Sequence, residues 1–342
     1  MALRYVDSFD TYGTNDLVKM WSLLSVGGFG CNIDIVAGGG LHKNAIRLAS
    51  TYVGHCHATQ VLDSQQTWVV GFSINVQKIR ANTVAQIFSF RDGDTVQVEI
   101  CREIDGRISV KRGSTTLGTT AIALPLTAWT HVAVKVKIHD SEGAIEVRIN
   151  GSSTPALKLN GINTQNTVNA TADRVVFGLK EAECTFVIDD LYILDCTGDV
   201  NNDFLGEVSV IAHSPTGDGT SSDWVPSEGT SHYALIDESP GSNADYITGS
   251  SGNTDLFTFT PGDLTGFTIS GVVLKALAKK TDSGEAELAL IAKSGATALQ
   301  GAANVLSQDD LYYTHTLELD PDTNTTWTPE SLAAAEFGVE AL

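Results

Sequence analysis

Apolar and polar residues alternate most clearly in the stretch Trp129-Thr-His-Val-Ala-Val-Lys-Val-Lys-Ile138, which continues after a polar segment as Ile145-Glu-Val-Arg-Ile-Asn-Gly151. Alternation with a period of two places every second side chain on the same face of a β-strand. The polar segment 140–143 and the dipeptide Asn150-Gly151 are turn signals, because asparagine and glycine adopt the positive φ of tight turns at little cost. The stretch therefore predicts an antiparallel hairpin with one apolar face.

The same pattern recurs along the chain and predicts an all-β protein. The dipeptide Asp105-Gly106 separates two more alternating runs, and such a turn is typical of a hairpin. Short strands at regular spacing, with little helix between them, indicate an antiparallel sandwich. Further strands are predicted at residues 68–76, 174–178, 186–194, 272–278, 287–292 and 311–319.

Two short helices are expected within this β pattern. Near the C-terminus Thr328 is a suitable N-cap, Pro329 suits the first helical position, and Gly338 is expected to end the helix. The second helix is expected from Asp16 to about Leu23, with its apolar side chains facing the core.

The charge of the chain is strongly acidic and unevenly distributed. The 342 residues include 21 Lys and Arg against 41 Asp and Glu, and only four of the basic residues follow residue 200. We therefore expect two domains, at residues 1–198 and 199–342, the second being a smaller and more acidic β domain with one short helix. A surface this acidic repels phosphate backbones, which argues against nucleic-acid binding. No apolar run has the length that membrane insertion requires.

The cysteines and the N-terminus indicate where the chain folds. The opening MALRYVDSFDTYG has no apolar run after Arg4, so it does not resemble a secretion signal. An odd number of cysteines, five in all, without such a signal predicts free thiols and folding in a reducing cytoplasm.

The strand pattern of the first 196 residues or so resembles a concanavalin A-like (laminin G-like) jelly roll. The resemblance is carried by Trp129-Thr-His-Val-Ala-Val, Ile145-Glu-Val-Arg-Ile-Asn-Gly151, Val176-Phe-Gly178 and Phe186-Val-Ile-Asp-Asp-Leu-Tyr192. It implies that the first strand, near Val6-Asp-Ser-Phe9, pairs with the last. This fold occurs in lectins, hydrolases and inert spacers, so it does not by itself define a function.

The whole chain also resembles a layout found in virion proteins of tailed bacteriophages, in which a jelly roll precedes a smaller β domain. The resemblance rests on Asn202-Asp-Phe-Leu-Gly206, Ser222-Asp-Trp-Val-Pro226, Leu319-Asp-Pro321 and Trp327-Thr-Pro-Glu330. It implies a structural component of the phage particle, either a head decoration or a tail or fibre appendage, that folds in the host cytoplasm. Its partners would be other virion proteins and further copies of itself. The alternative is a module that attaches the particle to a bacterial surface glycan, and a polysaccharide-degrading enzyme is the least favoured interpretation.

Residues with catalytic potential are sparse, and no catalytic residue is predicted. Glycoside hydrolases place two carboxylates about 5–5.5 Å apart across the sugar when they retain configuration. Here Glu181 and Glu183 alternate, but in a segment that reads as a loop. His55 and His57 have the spacing of two ligands on one strand face, without an evident third ligand. His131 is interpreted as a structural histidine with satisfied hydrogen bonds, and the glycines at 38–40 are interpreted as a loop.

Two binding hypotheses remain from the sequence. Asp189 and Asp190 alternate on the last strand, so one of them should point inward, and together with Asp7 on the first strand they are candidate ligands of Ca²⁺. Hydrogen bonding of these aspartates to loop amides is the competing interpretation. Trp224 lies in a loop rich in Ser, Thr and Gly and is the tryptophan expected to be exposed, as a contact for glycan or for another subunit. Trp68 and Trp129 begin apolar strands and are expected in the core.

Overall fold

The computed structural model describes residues 2–27, 30–38, 43–51, 54–180 and 183–342. It divides into two compact units, Met1–Ile211 and Ala212–Leu342. The division falls after the predicted boundary at residue 198, because Phe204, Leu205 and Val208 pack against a buried cluster of the first unit. Whether each unit folds independently stays a prediction.

The first unit contains fifteen strands and one short helix among the described residues, together with a 3-10 turn at Thr14–Asp16. The helix α1 spans a single turn, Leu17–Met20. The strands are β1 (Leu3–Asp7), β2 (Leu23–Gly27), β3 (Cys31–Ala37), β4 (Asn44–Ser50), β5 (His55–Gln65), β6 (Thr67–Ile79), β7 (Ala85–Asp92), β8 (Thr95–Arg102), β9 (Arg107–Arg112), β10 (Thr115–Ala123), β11 (Trp129–Lys137), β12 (Gly143–Ile149), β13 (Leu157–Ile162), β14 (Ala172–Lys180) and β15 (Cys184–Leu194).

These strands form two antiparallel sheets packed face to face. The first sheet has the order β13-β12-β11-β6-β15-β4-β3, with β1 paired to β15, and the second has the order β10-β9-β8-β7-β14-β5-β2. The pairing of the first strand with the last confirms the expectation from the resemblance. The hairpins predicted around Asp105-Gly106 and at β11 and β12 are also present. The first unit is therefore a jelly-roll β-sandwich.

Alternation along the strands decides which face of the first sheet enters the core. Phe72, Ile74 and Val134 are fully buried between the sheets, and they have the same parity as Trp68. The residues of opposite parity, such as Ser73 on β6 and His131 on β11, lie on the face that points away from the second sheet. We call this face, formed by the odd-numbered residues 71–75 of β6 and 129–137 of β11 and by their neighbours, the outer face.

The second unit is a smaller β structure. One sheet has the order β16-β19-β25-β21-β22 with β23 paired to β21, and two two-stranded sheets are formed by β17 with β18 and by β20 with β24. Side chains of β20, β21, β24 and β25 meet in one buried cluster with Trp327. A 3-10 turn lies at Tyr233–Leu235, and the remaining elements are β16 (Pro215–Ser222), β17 (Val225–Pro226), β18 (Ile247–Thr248), β19 (Thr254–Phe259), β20 (Val272–Ala278), β21 (Glu287–Ser294), β22 (Thr297–Gln300), β23 (Asn304–Val305), β24 (Leu311–Leu317), α2 (Pro329–Ala334) and β25 (Glu336–Ala341).

Both predicted helices are shorter in the structure than the sequence suggests. Thr328 caps α2 as predicted, since its hydroxyl accepts the Ser331 amide at 3.1 Å. The helix ends before residue 338, and Gly338 lies inside β25, where a Cβ atom would meet the Asp255 carbonyl oxygen at 1.8 Å. This glycine therefore serves close strand packing and does not end the helix. Near the N-terminus, Leu23 belongs to β2, so the helix expected from Asp16 to Leu23 is reduced to α1.

All five cysteines are free thiols, and Cys56, Cys101 and Cys184 are buried. Burial raises the pKa of each of these three thiols to about 12, so they behave as small apolar side chains. No helix in the described part of the chain has the length and hydrophobicity that a membrane span needs.

Candidate functional site

Asp7, one of the three predicted calcium ligands, is the centre of a hydrogen-bond network. Its Oδ2 accepts the hydroxyls of Tyr5 at 2.8 Å and Tyr12 at 2.6 Å, and its Oδ1 accepts the Phe9 amide at 3.0 Å. The carboxylate is 1% exposed. Burial, followed by the negative charge of Asp7, raises the pKa of both tyrosines well above the usual value. Asp7 thus holds the start of the chain in place.

Asp189 and Asp190 depart from the predicted alternation. A β-bulge separates Asp189, which pairs with Ser73, from Tyr192, which pairs with Gly71, and Asp190 has a positive φ of 53°. Both aspartates are consequently buried, whereas the sequence predicted one inward and one outward. Asp190 accepts the amide of Val210 at 2.7 Å, and Asp189 accepts the amide of Asp190 at 2.8 Å.

The three aspartates do not converge on one point. Within residues that the structure describes, no group of three or more His, Cys, Asp or Glu side chains is arranged to hold a metal ion. The oxygens of Asp7 already face donor groups, which compete with a cation for the same lone pairs. The calcium hypothesis gains no support from this geometry and stays a prediction.

The outer face carries a row of buried polar groups across three adjacent strands. Ser73 of β6 is the direct cross-strand partner of both His131 of β11 and Asp189 of β15, so the three side chains share one face. His131 is 2% exposed and Asp189 is 0% exposed. Both ring nitrogens of His131 and Oδ2 of Asp189 are buried without a hydrogen-bond partner. His131 is therefore not the satisfied structural histidine that the sequence suggested.

A second row of residues, next to the first, also contains buried polar atoms without a hydrogen-bond partner. Trp129 of β11 pairs directly with Asn75 of β6, and both residues are only partly buried. Trp129 Nε1 and Asn75 Oδ1 are nevertheless buried atoms without a hydrogen-bond partner. The prediction that Trp129 lies in the core is wrong, because its odd parity on β11 places it on the outer face. Trp68 is in the core as predicted, and its indole donates to the Ala172 carbonyl at 3.0 Å.

Burial keeps Asp189 and His131 of the first row mainly uncharged near neutral pH. Desolvation by burial, reinforced by the neighbouring Asp190 carboxylate, raises the pKa of Asp189 to about 8. Desolvation also lowers the pKa of His131 to about 4. Around neutral pH the row therefore presents a carboxylic acid and a neutral imidazole, each of which can both donate and accept a hydrogen bond.

A groove continues the outer face toward the edge strands β12 and β13. It holds about 220 Å³ and is lined mainly by Lys135, Lys137, Ala144, Glu146, Lys158 and Asn160. Lys158 and Arg148 both contact the Glu146 carboxylate, at 2.8 and 2.7 Å. Burial acts to raise the pKa of Glu146, but the hydrogen bonds from these two cations hold it below its usual range. The groove is thus basic, although the chain as a whole is acidic.

Residues 196–210 border the outer face on its other side. Phe204, Leu205 and Val208 pack on the buried cluster that includes Tyr192. The Arg148 guanidinium lies 4.3 Å from the centre of the Phe204 ring, and the Tyr192 ring is stacked with His131 at 6.3 Å between centroids. Asp203 also contacts Lys135, and the Val210 amide donates to Asp190, so this segment lies over part of the outer face. His131 and Asp189 of the first row are accordingly 2% and 0% exposed, whereas Trp129 and Asn75 of the second row are only partly buried.

Trp224, the predicted exposed aromatic residue of the second unit, is only partly exposed. Its indole donates to the Asn253 carbonyl at 3.1 Å, its amide donates to Asp255, and its ring lies on Gly249. On the short ribbon of β17 and β18 the more exposed ring belongs to Tyr246, at 53% exposure. Ser227 pairs with Tyr246, so by alternation this tyrosine lies on the face opposite Trp224. Binding of glycan or a subunit by Trp224 stays a prediction.

A contact among Ser222, His232 and Asp255 was not evident from the sequence. Asp255 Oδ2 lies 2.6 Å from His232 Nδ1, and Ser222 Oγ lies 3.1 Å from the same nitrogen but 3.5 Å from Nε2. Acyl transfer by such a triad requires the serine and the carboxylate on opposite ring nitrogens. The arrangement therefore fits a structural contact that anchors Asp255 beneath Trp224. His232 is 10 residues from Ser222 and 23 residues from Asp255, so no local sequence pattern predicts this contact.

The other chemical candidates are placed apart from the outer face rows. The rings of His55 and His57 lie side by side, 5.5 Å apart between centroids, as their spacing predicted. Glu183 is paired with Lys78 at 2.6 Å, and this hydrogen bond lowers the pKa of the carboxyl group. Glu181 lies outside the described residues, as do two of the three glycines at 38–40.

Comparison with known proteins finds distant structural likenesses. No protein-family model matches the chain, and no curated protein matches it. Among solved structures, a cellulose-induced protein aligns with 55% of this chain and 94% of its own, at 16% identity and a TM-score of 0.42. A basic winged bean lectin with Tn-antigen aligns at 10% identity over 56% of this chain and 98% of its own, with a TM-score of 0.39. A Bacillus subtilis protein with a galectin-like fold aligns at 11% identity over 57% and 96%, with a TM-score of 0.40.

The architecture defines the class of the protein. The described residues form an all-β chain whose first unit is a concanavalin A-like jelly roll and whose second unit is a smaller β structure with one short helix. The structural likenesses are too distant to carry an argument about activity.

Proposed function

We propose that the protein is a non-catalytic carbohydrate-binding protein, and that the outer face of the first unit is its binding surface. The proposal rests on one observation: Trp129 and Asn75 are cross-strand partners on this face and are only partly buried, and Trp129 Nε1 and Asn75 Oδ1 have no hydrogen-bond partner. An unpaired buried polar atom costs about 1–3 kcal/mol, so a chain that keeps several of them together requires a reason.

The chemistry of these atoms favours a hydroxyl-rich ligand. Trp129 Nε1 only donates and Asn75 Oδ1 only accepts. A sugar hydroxyl both donates and accepts, so a neighbouring donor and acceptor pair with a carbohydrate more completely than with a simple anion or cation. The partly buried Trp129 side chain adds an apolar surface for a sugar ring.

Trp129 and Asn75, the partly exposed members of the two rows, are not acid–base groups. A general acid or base works best with a pKa near the operating pH, and His131, with its pKa lowered to about 4, is a weak base at neutral pH. The carboxyl group of Glu183, which is paired with Lys78, lies on a different part of the chain. We therefore propose binding without cleavage, and a search for chain shortening of bound polysaccharides tests that part of the proposal.

The experiment uses an array of neutral and acidic polysaccharides, with affinities measured by calorimetry for each binder. We expect Trp129→Leu and Asn75→Leu each to weaken binding by about tenfold, the equivalent of one good hydrogen bond. Thr119→Val, on β10 of the opposite sheet, is the matched control and should bind like the unmodified protein. Failure of the whole array to bind, or equal binding by all variants, would show that the outer face is not a glycan site.

The sequence resemblance to tailed-phage virion proteins remains a separate, finer prediction. Host attachment through a bacterial surface glycan is compatible with a binding face on a particle component, and a homo-oligomer would multiply weak glycan contacts. Neither the virion location nor self-association is carried by the contacts described above. Mass spectrometry of purified particles and light scattering of the pure protein test the two predictions directly.

A further inference from the structure

The basic groove beside the polar rows indicates what kind of carbohydrate the outer face selects. We infer that the ligand is an acidic polysaccharide, whose carboxylate groups bind Lys135 and Lys137 in this groove. This inference rests on the proposed function and adds the substrate class to it.

Position is the first argument. Lys135 and Lys137 follow His131 on β11 at intervals of two residues, so all three side chains point to the same side of the sheet. Residues two apart on a strand are separated by about 6.6–6.8 Å. Lys135 and Lys137 are therefore spaced to contact successive sugars of one polymer chain. The groove holds about 220 Å³, less than the roughly 300–1,000 Å³ of clefts that enclose small ligands. It suits a segment of an extended polymer.

Charge is the second argument. Of the residues that line the groove, three are lysines and one is a glutamate, in a chain with a net charge of −20. Glu146 is already shared between Lys158 and Arg148. Basic residues are scarce in this chain, and their concentration on one strip of sheet produces a local positive potential against an acidic background.

The present partners of the two central lysines are weak. Lys135 contacts Asp203 at 3.2 Å and Lys137 contacts Glu142 at 3.4 Å, and these acidic side chains are 61% and 73% exposed. Exposed ion pairs of this kind contribute about 0–1 kcal/mol. A ligand carboxylate can therefore take the place of Asp203 or Glu142 at small cost. In this arrangement Asp203 acts as a competitor for the site.

The test compares polygalacturonate and alginate with their methyl esters, which keep the sugar hydroxyls and remove the charge. We expect each acid polymer to bind about tenfold more tightly than its ester, as a charge-assisted hydrogen bond would give. The double variant Lys135→Gln with Lys137→Gln should bind acid and ester equally. Asp203→Asn should bind the acid polymers more tightly, because it removes the competitor. Lys111→Gln, whose lysine pairs with Glu103 on the opposite sheet, is the control and should change neither affinity.

The outcomes separate this inference from the proposed function. Equal binding of acid polymers and esters, both weakened by Asn75→Leu, would overturn the charge selectivity and leave carbohydrate binding intact. Absence of binding by all acidic and neutral polysaccharides would overturn both. Binding of a short DNA duplex that depends on Lys135 and Lys137 and exceeds that of either acid polymer would assign the groove to nucleic acid, and would also overturn the inference.

Discussion

Two buried carboxylates, on strands that pair with each other in the first unit, differ in how many hydrogen bonds they accept. Asp7 on β1 accepts three hydrogen bonds from two tyrosines and one amide, and every one of these partners belongs to the first twelve residues. Asp189 on β15 accepts one amide and leaves Oδ2 buried without a partner. Burial alone therefore does not distinguish the two sites, whereas the supply of donors does.

The difference teaches how a structural carboxylate is told from a candidate binding group. Networks in which all lone pairs are used rigidify a fold, and removal of their centre is costly. An unpaired buried group lowers stability and persists in a protein when something other than stability retains it. The Asp7 region belongs to the first kind, and the row of Asp189, Ser73 and His131 belongs to the second. Mutations in the two regions should accordingly change stability in opposite directions.

The largest expected effect follows from Asp7→Ala. This change leaves the hydroxyls of Tyr5 and Tyr12 and the amide of Phe9 without their acceptor, so we expect the free energy of unfolding to fall by about 3–5 kcal/mol. Urea denaturation followed by tryptophan fluorescence measures it. Tyr12→Phe removes one donor and leaves the carboxylate in place, and it should cost about 1 kcal/mol. A loss below that of Tyr12→Phe would mean that Asp7 is not the centre of the network.

Asp189→Asn should act in the opposite direction and depend on pH. The folded-state pKa of Asp189 is raised to about 8, so the folded protein holds this proton where the unfolded chain releases it. As pH rises from about 4 to 8, this group lowers stability, at most by about 1.4 kcal/mol per pH unit. Asparagine keeps the Oδ1 contact to the Asp190 amide and has no such proton. We expect the variant to be more stable by about 2 kcal/mol near pH 8 and to match the unmodified protein near pH 4.

The control for that experiment is Asp195→Asn, because Asp195 is equally buried but is paired with Arg4. It should lose stability near neutral pH, where Asp189→Asn gains it. A pH profile of Asp189→Asn that runs parallel to the unmodified protein would contradict the raised pKa of Asp189 and move this residue into the same class as Asp7.

The sequence predicts part of this molecule, and its errors arise where the buried face or the strand register is not encoded locally. Alternation and turn residues predict several strands of the first unit, among them β6, β11 and β15, and the strands β20, β21 and β24 of the second. The pairing of β1 with β15 follows from the fold resemblance. Alternation does not reveal which face of a sheet is the core when both faces contain aromatic residues. The sequence therefore predicts Trp129 in the core, although it lies on the outer face. A single bulge at Asp190 reverses the alternation and buries both aspartates. The buried polar atoms without partners on the outer face depend on the pairing of β6, β11 and β15. The register between strands that are far apart in the sequence cannot be read from a local pattern.

The smallest expected change in stability concerns the first polar row. His131→Phe keeps a ring of similar size that can stack with Tyr192, and it removes two buried nitrogens that have no partner. The pKa of His131 is lowered to about 4, so the folded state resists the proton that the unfolded chain binds below about pH 6.5. Stability that depends on this group is therefore lost as pH falls from about 6.5 toward 4, and phenylalanine abolishes the loss.

We expect a gain of about 1 kcal/mol near pH 7 and a larger gain near pH 4.5, measured by thermal melting. His315→Phe is the matched control, because His315 also has a buried unpaired ring nitrogen and a lowered pKa but lies on β24 of the second unit. Both variants should gain stability. If His131→Phe is destabilised while His315→Phe is not, the imidazole of His131 has a structural role, and the contrast with Asp7 fails at this residue.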